Sequence, residues 1–238
     1  MPQQKTKSME KQTTEKSVRI QTSVLSKIEK RVLIWLAQRQ PKWVNSDMMT
    51  FLGTIGALII AAGYILSNLN INFLWIASLG FVINWYGDSL DGTLARVRHC
   101  QRPNYGYYLD HSVDAINEIF MFIGIGLSPF FDIRLAMAGL IIYFLLTINV
   151  SINAHLKGEF KLTYAKMGPT ELRIIMIIIN TLIIYWEALR EQMNLIGGIL
   201  IFLLLTTYIV TFITDAKGYT KMDNELKRKK KSNATVNP

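Results

Sequence analysis

Six apolar runs dominate the chain, at 48–68, 71–87, 113–131, 135–155, 172–189 and 194–214. Each approaches the roughly 20 residues that a helix needs to cross a hydrocarbon core about 30 Å thick. Lipid cannot satisfy an open backbone, so runs of this kind fold as helices that bond internally. The sequence therefore predicts an all-α, polytopic membrane protein with six transmembrane helices. The second run is short, but its helical pattern continues past residue 87 into a polar motif, and the third begins inside that motif near Gly106. These two helices are expected to protrude from the bilayer on one side.

The basic residues say which side. Of the 26 Lys and Arg, 23 fall in residues 1–43, in residues 215–238, and in the connections between runs two and three and runs four and five. The other three connections hold only Arg134 and Arg190, while Arg173 lies inside the fifth run. By the positive-inside rule both termini and the polar motif are cytoplasmic, at the plasma membrane if the source is bacterial. The net charge of +9 is then an orientation and lipid-contact signal, and nucleic acid is not needed to explain it. Residues 24–44, VLSKIEKRVLIWLAQRQPKWV, alternate apolar and basic residues at near-helical spacing. They predict an N-terminal amphipathic juxtamembrane helix, lying on the membrane surface or packed on the cytoplasmic loops. The chain divides into a basic N-terminal segment with this helix (1–43), a membrane domain (44–214) and a basic tail read as disordered (215–238). Residues 1–43 lack the apolar stretch and small-residue cleavage site of a secretory signal. The single cysteine, Cys100, excludes an internal disulfide framework.

The polar motif reads GDSLDGTLARVRHCQRPNYGYYLDHSVD, residues 87–114. Asp88 and Asp91, three apart, share a helix face, as do Asp110 and Asp114, four apart. Pro103 and Asn104 signal a turn, so the two helices can run antiparallel with their carboxylates opposed. Four charges that close cannot all stay ionised alone. Divalent cations with oxygen ligands remove the conflict, and Mg²⁺ typically binds a few carboxylates together with substrate phosphates. Gly92, Ala95 and Gly106 clear space around the carboxylates, and Arg96 offers a bidentate donor for phosphate. One acidic pair alone is more often a solvated helix face. Two pairs with small residues and an Arg in phase, at the ends of membrane helices, describe a metal-bridged diphosphate site. A metal-ion or proton transporter is the competing class, because intramembrane carboxylates also mark ion paths.

Eight residues (Asp88, Asp91, Gly92, Ala95, Arg96, Gly106, Asp110 and Asp114) match the signature of the CDP-alcohol phosphotransferases, integral membrane enzymes of phospholipid synthesis. The chain closely resembles that family over roughly residues 44 to 214, including Thr50 and Gly53 at the opening of the first run. Nine residues separate Arg96 from Gly106 where the family commonly has eight. The resemblance implies that an alcohol attacks the phosphorus of a CDP-linked alcohol and releases CMP. It implies Asp88, Asp91, Asp110 and Asp114 as ligands of Mg²⁺ or Mn²⁺, two ions per site, with Asp114 as general base. It implies Asp91, Gly92, Ala95, Arg96 and Gly106 as the CDP-binding surface, and leaves a homodimer as a possible assembly.

The two alcohols are less legible. An Arg just inside a membrane helix wants an anionic partner, so Arg173 and the nearby Glu171 are candidates for the acceptor site. The compact six-helix chain resembles the branch that uses CDP-diacylglycerol and a polar acceptor such as inositol, inositol phosphate or glycerol phosphate. Residues 154–172 are faintly similar to a loop of the choline/ethanolamine phosphotransferases, which give a headgroup to a lipid alcohol. Glu118 and Asn84 extend the aspartate ladders by a turn each. His99, His111 and His155 show no zinc spacing.

Overall fold

The structure, a computed structural model, describes residues 18–20, 25–157, 159–161 and 168–236. Most of the 1–24 stretch and residues 162–167 lie outside the described residues, with the expectations that fall on them. Among the described residues seven α-helices follow one another: α1 Ser26–Arg39, α2 Ser46–Leu66, α3 Leu74–Val97, α4 Pro103–Gly126, α5 Ile133–Lys157, α6 Pro169–Tyr185 and α7 Glu187–Val236. The all-α expectation holds apart from two three-residue strands, β1 Val18–Ile20 and β2 Glu159–Lys161, which pair in parallel.

Local chemistry places the helix ends. The Asn45 side chain accepts the Met48 N–H at 2.9 Å and starts α2. Pro103 and Pro169 stand in the first turns of α4 and α6, where a missing N–H costs nothing. Pro103 therefore opens a helix instead of the turn expected there. The reversal lies earlier, at His99, whose φ of 53° is a left-handed conformation that His tolerates better than most residues. Between α6 and α7 only Trp186 is extended. Arg190 donates back to the carbonyls of Ile183 and Ile184, both at 2.7 Å, satisfying acceptors that the end of α6 leaves open.

Helices α2 and α3 meet almost backbone to backbone. A Cβ on Gly56 would lie 2.4 Å from the Asn84 nitrogen, one on Gly63 2.4 Å from that of Ala77, and one on Gly87 2.3 Å from that of Gly53. Small residues at a shared interface allow this approach, and the pairings make α2 and α3 antiparallel. Deeper in, the Tyr64 hydroxyl donates to Asn180 Oδ1 at 2.7 Å, and Asn180 Nδ2 donates to Ser78 Oγ at 3.1 Å. This buried polar link joins α2, α3 and α6 in a region the sequence marks only as apolar. On the other side, Asn149 and Asn153 of α5 both donate to Asp215 Oδ2 of α7, at 3.1 and 2.7 Å.

Among the described residues, three helices are long and apolar enough to cross a membrane: Ser46–Leu66, the Ile133–Leu156 part of α5 and the Glu187–Arg228 part of α7. The expectation of six spans is thus met in half. Helix α6 has only 17 residues, and the aspartate-bearing ends of α3 and α4 dilute their apolar runs. Residues 215–238, expected to be disordered, continue α7 as far as Val236. Many residues there, such as Glu, Leu, Lys and Arg, are good helix formers.

The N-terminal helix α1 is fastened to the protein. Leu33 and Ala37 pack with Leu90 and Leu94 of α3, while Ile28, Val32 and Trp35 stay exposed. Glu29 accepts from Trp85 Nε1 of α3 at 3.1 Å and from the Thr170 hydroxyl of α6. The Leu25 N–H donates to Glu171 at 3.0 Å. Glu29→Ala leaves two donors unpaired, and is expected to cost about 1–3 kcal/mol. Thermal unfolding in detergent will show it as a lowered midpoint, with Glu29→Gln recovering most of the loss.

Candidate active site

Asp88 and Asp91 lie on α3, Asp110 and Asp114 on α4, at the ends that meet across the His99 turn. Asp88, Asp110 and Asp114 each bring a carboxylate oxygen within 4.8 Å of the others. The group is all oxygen, with no His or Cys in it. Such a donor set fits a hard divalent cation, and three crowded carboxylates on two helices can all stay ionised only with positive charge nearby.

Asp91 stands apart from this group. It is 8% exposed, and its Oδ2 accepts from the Thr50 hydroxyl of α2 at 2.7 Å. The other oxygen takes the Gly92 N–H, and the Ser46 hydroxyl holds the Asp91 carbonyl at 2.9 Å. Asp91 lies beyond the apolar run 71–87. Burial pushes its carboxyl up to about 7; the Thr50 hydroxyl works against this, and the Asp110 and Asp88 charges add to it. Thr50, recognisable in the sequence only as part of a Thr-x-x-Gly opening, thus orients an aspartate of the motif from another helix. Gly53, its companion, gives α3 room beside the site: a Cβ there would lie 3.3 Å from the Asp88 nitrogen.

The Arg173 side chain reaches into the site from α6. Its Nη2 donates to Asp88 Oδ2 at 2.6 Å and its Nε to Asn84 Oδ1 at 2.9 Å. Both members of the ion pair are largely withdrawn from solvent. Asn84, 1% exposed, uses its Nδ2 to donate to the Gly53 carbonyl at 2.9 Å. A continuous chain of hydrogen bonds therefore runs from the α2 backbone through Asn84 and Arg173 to Asp88. The Glu171 carboxylate accepts the N–H groups of Gly168 and Leu25, each at 3.0 Å, and so caps α6 and tethers the N-terminal segment.

The remaining sequence candidates frame the cluster. Arg96 is exposed; its Nη2 donates to the Thr93 hydroxyl at 2.8 Å, and a Cβ on Gly92 would lie 3.3 Å from its Nη1. Gly106 faces open space in the first turn of α4, with nothing within 4 Å of where a Cβ would stand. Ala95 is half-buried. Glu118, one turn beyond Asp114, faces Tyr143 of α5. His111 stacks on Tyr107 with ring centroids 4.1 Å apart, and its Nδ1 lies 3.5 Å from Asp110.

An acidic triad that can hold a cation, an exposed Arg and the open position at Gly106 are the kinds of group that a metal-bound diphosphate needs. Comparison with known protein families agrees: the family model described as CDP-alcohol phosphatidyltransferase matches residues 43–213.

Proposed function

The chain belongs to the CDP-alcohol phosphatidyltransferase family, and from that premise we propose that it moves a phosphatidyl group from CDP-diacylglycerol to a polar alcohol, releasing CMP. Family membership makes it a membrane enzyme that transfers a substituted phosphate from a CDP-alcohol to an alcohol, using a divalent metal. The choice of donor and acceptor, and the roles below, are our reading. The observation that carries it is the group of Asp88, Asp110 and Asp114, carboxylates from two helices that lie within reach of a single ion.

Asp88, Asp110 and Asp114 would hold the metal, Mg²⁺ or Mn²⁺, with Asp91 held close by through Thr50. When bound, the ion supplies positive charge against the oxygens of the diphosphate as the leaving CMP becomes negative. Gly92, Ala95 and Gly106 let the donor approach the helix backbones, and Arg96 takes a phosphate oxygen. The acceptor oxygen forms a bond to the phosphorus that carries the lipid, the bond from that phosphorus to CMP breaks, and the acceptor proton passes to Asp114. A guanidinium at Arg173 beside the cluster favours an acceptor that is polar or itself anionic. Helices α3, α4 and α6 complete a six-helix bundle, with the site at the cytoplasmic face.

Offering the purified protein CDP-diacylglycerol with inositol, inositol phosphate, glycerol phosphate or serine, then CDP-choline or CDP-ethanolamine with a lipid alcohol, tests the reading. CMP release is expected with a pair from the first set. Release only with the second set assigns the headgroup-transfer chemistry instead. Activity is also expected to fall to background in excess chelator and to return with Mg²⁺ or Mn²⁺. An unchanged rate in chelator would rule out the metal role.

A further inference from the structure

We propose that Arg173 is the counter-ion of the metal-free centre, so that a divalent cation and this guanidinium compete for Asp88. The inference rests on the metal reading of the Asp88–Asp110–Asp114 group and goes beyond it by giving the site a built-in occupant.

Asp88 serves two partners. One of its oxygens lies within 4.8 Å of oxygens from Asp110 and Asp114, while its Oδ2 accepts from Arg173 at 2.6 Å. The guanidinium is not a loose surface group. It is anchored a second time on Asn84, at 2.9 Å, and the ion-paired side chains are only 16% and 21% exposed. A cation seated on the three carboxylates would therefore face a fixed positive charge across a single carboxylate, in a setting where water screens poorly. A Lys could escape by losing its proton, but an Arg cannot. Release requires the side chain to move away from Asp88.

An opposite arrangement is physically conceivable. An Arg that stayed on Asp88 while the ion bound would steady the ligand and tighten the metal, as groups bonded to metal ligands commonly do. The two arrangements predict opposite signs for the same substitution, which makes the question decidable. By linkage, competition also means that any anion drawing the released guanidinium away tightens the ion, and the reverse.

The test is a titration of Mn²⁺ into the detergent-solubilised full chain without substrate, with free ion read by electron paramagnetic resonance. A guanidinium seated on Asp88 nine-tenths of the time weakens apparent ion binding about ten-fold. Arg173→Gln is therefore expected to bind Mn²⁺ about ten-fold more tightly than the unaltered protein, and Arg173→Lys, which keeps the charge but loses the fork, by a smaller factor. Equal or weaker binding by Arg173→Gln overturns the proposal. If that variant does not fold, Arg173→Lys decides by the same rule. A metal centre whose Mn²⁺ binding is weakened by Asp114→Asn survives a negative result at Arg173. No Mn²⁺ binding in any form removes both the metal reading and this inference.

Discussion

Asp114→Asn is expected to lower CMP release by at least about 10³-fold, since general base catalysis alone contributes roughly 10²–10⁴ and the carboxylate also belongs to the acidic group. The substitution keeps the shape of the side chain and one carbonyl oxygen, but removes both the charge and the capacity to accept a proton at neutral pH. The donor is expected to keep binding through Gly92, Arg96 and Gly106, which the substitution leaves unchanged. Stability separates this outcome from simple damage. Asp114 stands among Asp88, Asp110 and Glu118, so the neutral amide relieves like-charge crowding, and the thermal midpoint in detergent is expected to hold or rise. Activity lost with stability kept is the pattern of a functional site whose groups are strained against one another. Near-normal turnover would remove Asp114 from the chemistry.

How far the sequence anticipated this site depends on what each residue does. The helix pairs Asp88–Asp91 and Asp110–Asp114 were legible because periodicity fixes which residues share a face. The position of Arg173 beside them was legible only as a cation in an apolar run that needed an anion, since the partner lies 85 positions away. Glu171, equally charged and two residues earlier, was read the same way, yet it caps α6. The spacing carries a signal for this: Glu171 is the third residue of a helix that Pro169 opens, the place from which a carboxylate reaches back to the N–H of the residue before the helix. The motif places Asp91 with the other three, and only the fold adds that the Thr50 hydroxyl of α2 donates to its Oδ2. The six apolar runs were visible as hydropathy, but the polar ends of α3 and α4 and the 17 residues of α6 leave three helices that qualify alone as spans. The lysine run of the tail suggests disorder, yet the helix formers Glu, Leu, Lys and Arg in it accompany the continuation of α7 to Val236. Tertiary partners, not local pattern, decide the surroundings of Arg173 and Asp91.

Gly87→Ala is expected to cripple the enzyme through a single added methyl group. Its Cβ would lie 2.3 Å from the Gly53 nitrogen and 2.5 Å from the Met49 carbonyl oxygen. Both obstacles are backbone, so no side chain can swing aside and α3 must move away from α2. Overpacking of this kind typically costs about 1–3 kcal/mol, and here the displaced helix carries Asp88 as the very next residue. The same shift would stretch the 2.7 Å bond between Thr50 and Asp91 and the 2.9 Å bond from Asn84 to the Gly53 carbonyl. Misplacing catalytic groups by about 1 Å can cost about 10²-fold in rate, so activity is expected to fall by about that factor while the thermal midpoint drops. Gly218→Ala supplies the contrast. Gly218 lies inside α7 with nothing within 4 Å of its would-be Cβ, and the same methyl group there is expected to leave activity intact and add about 0.4–1 kcal/mol of stability. If both substitutions behave alike, the close seam between α2 and α3 is not what holds the aspartates in register.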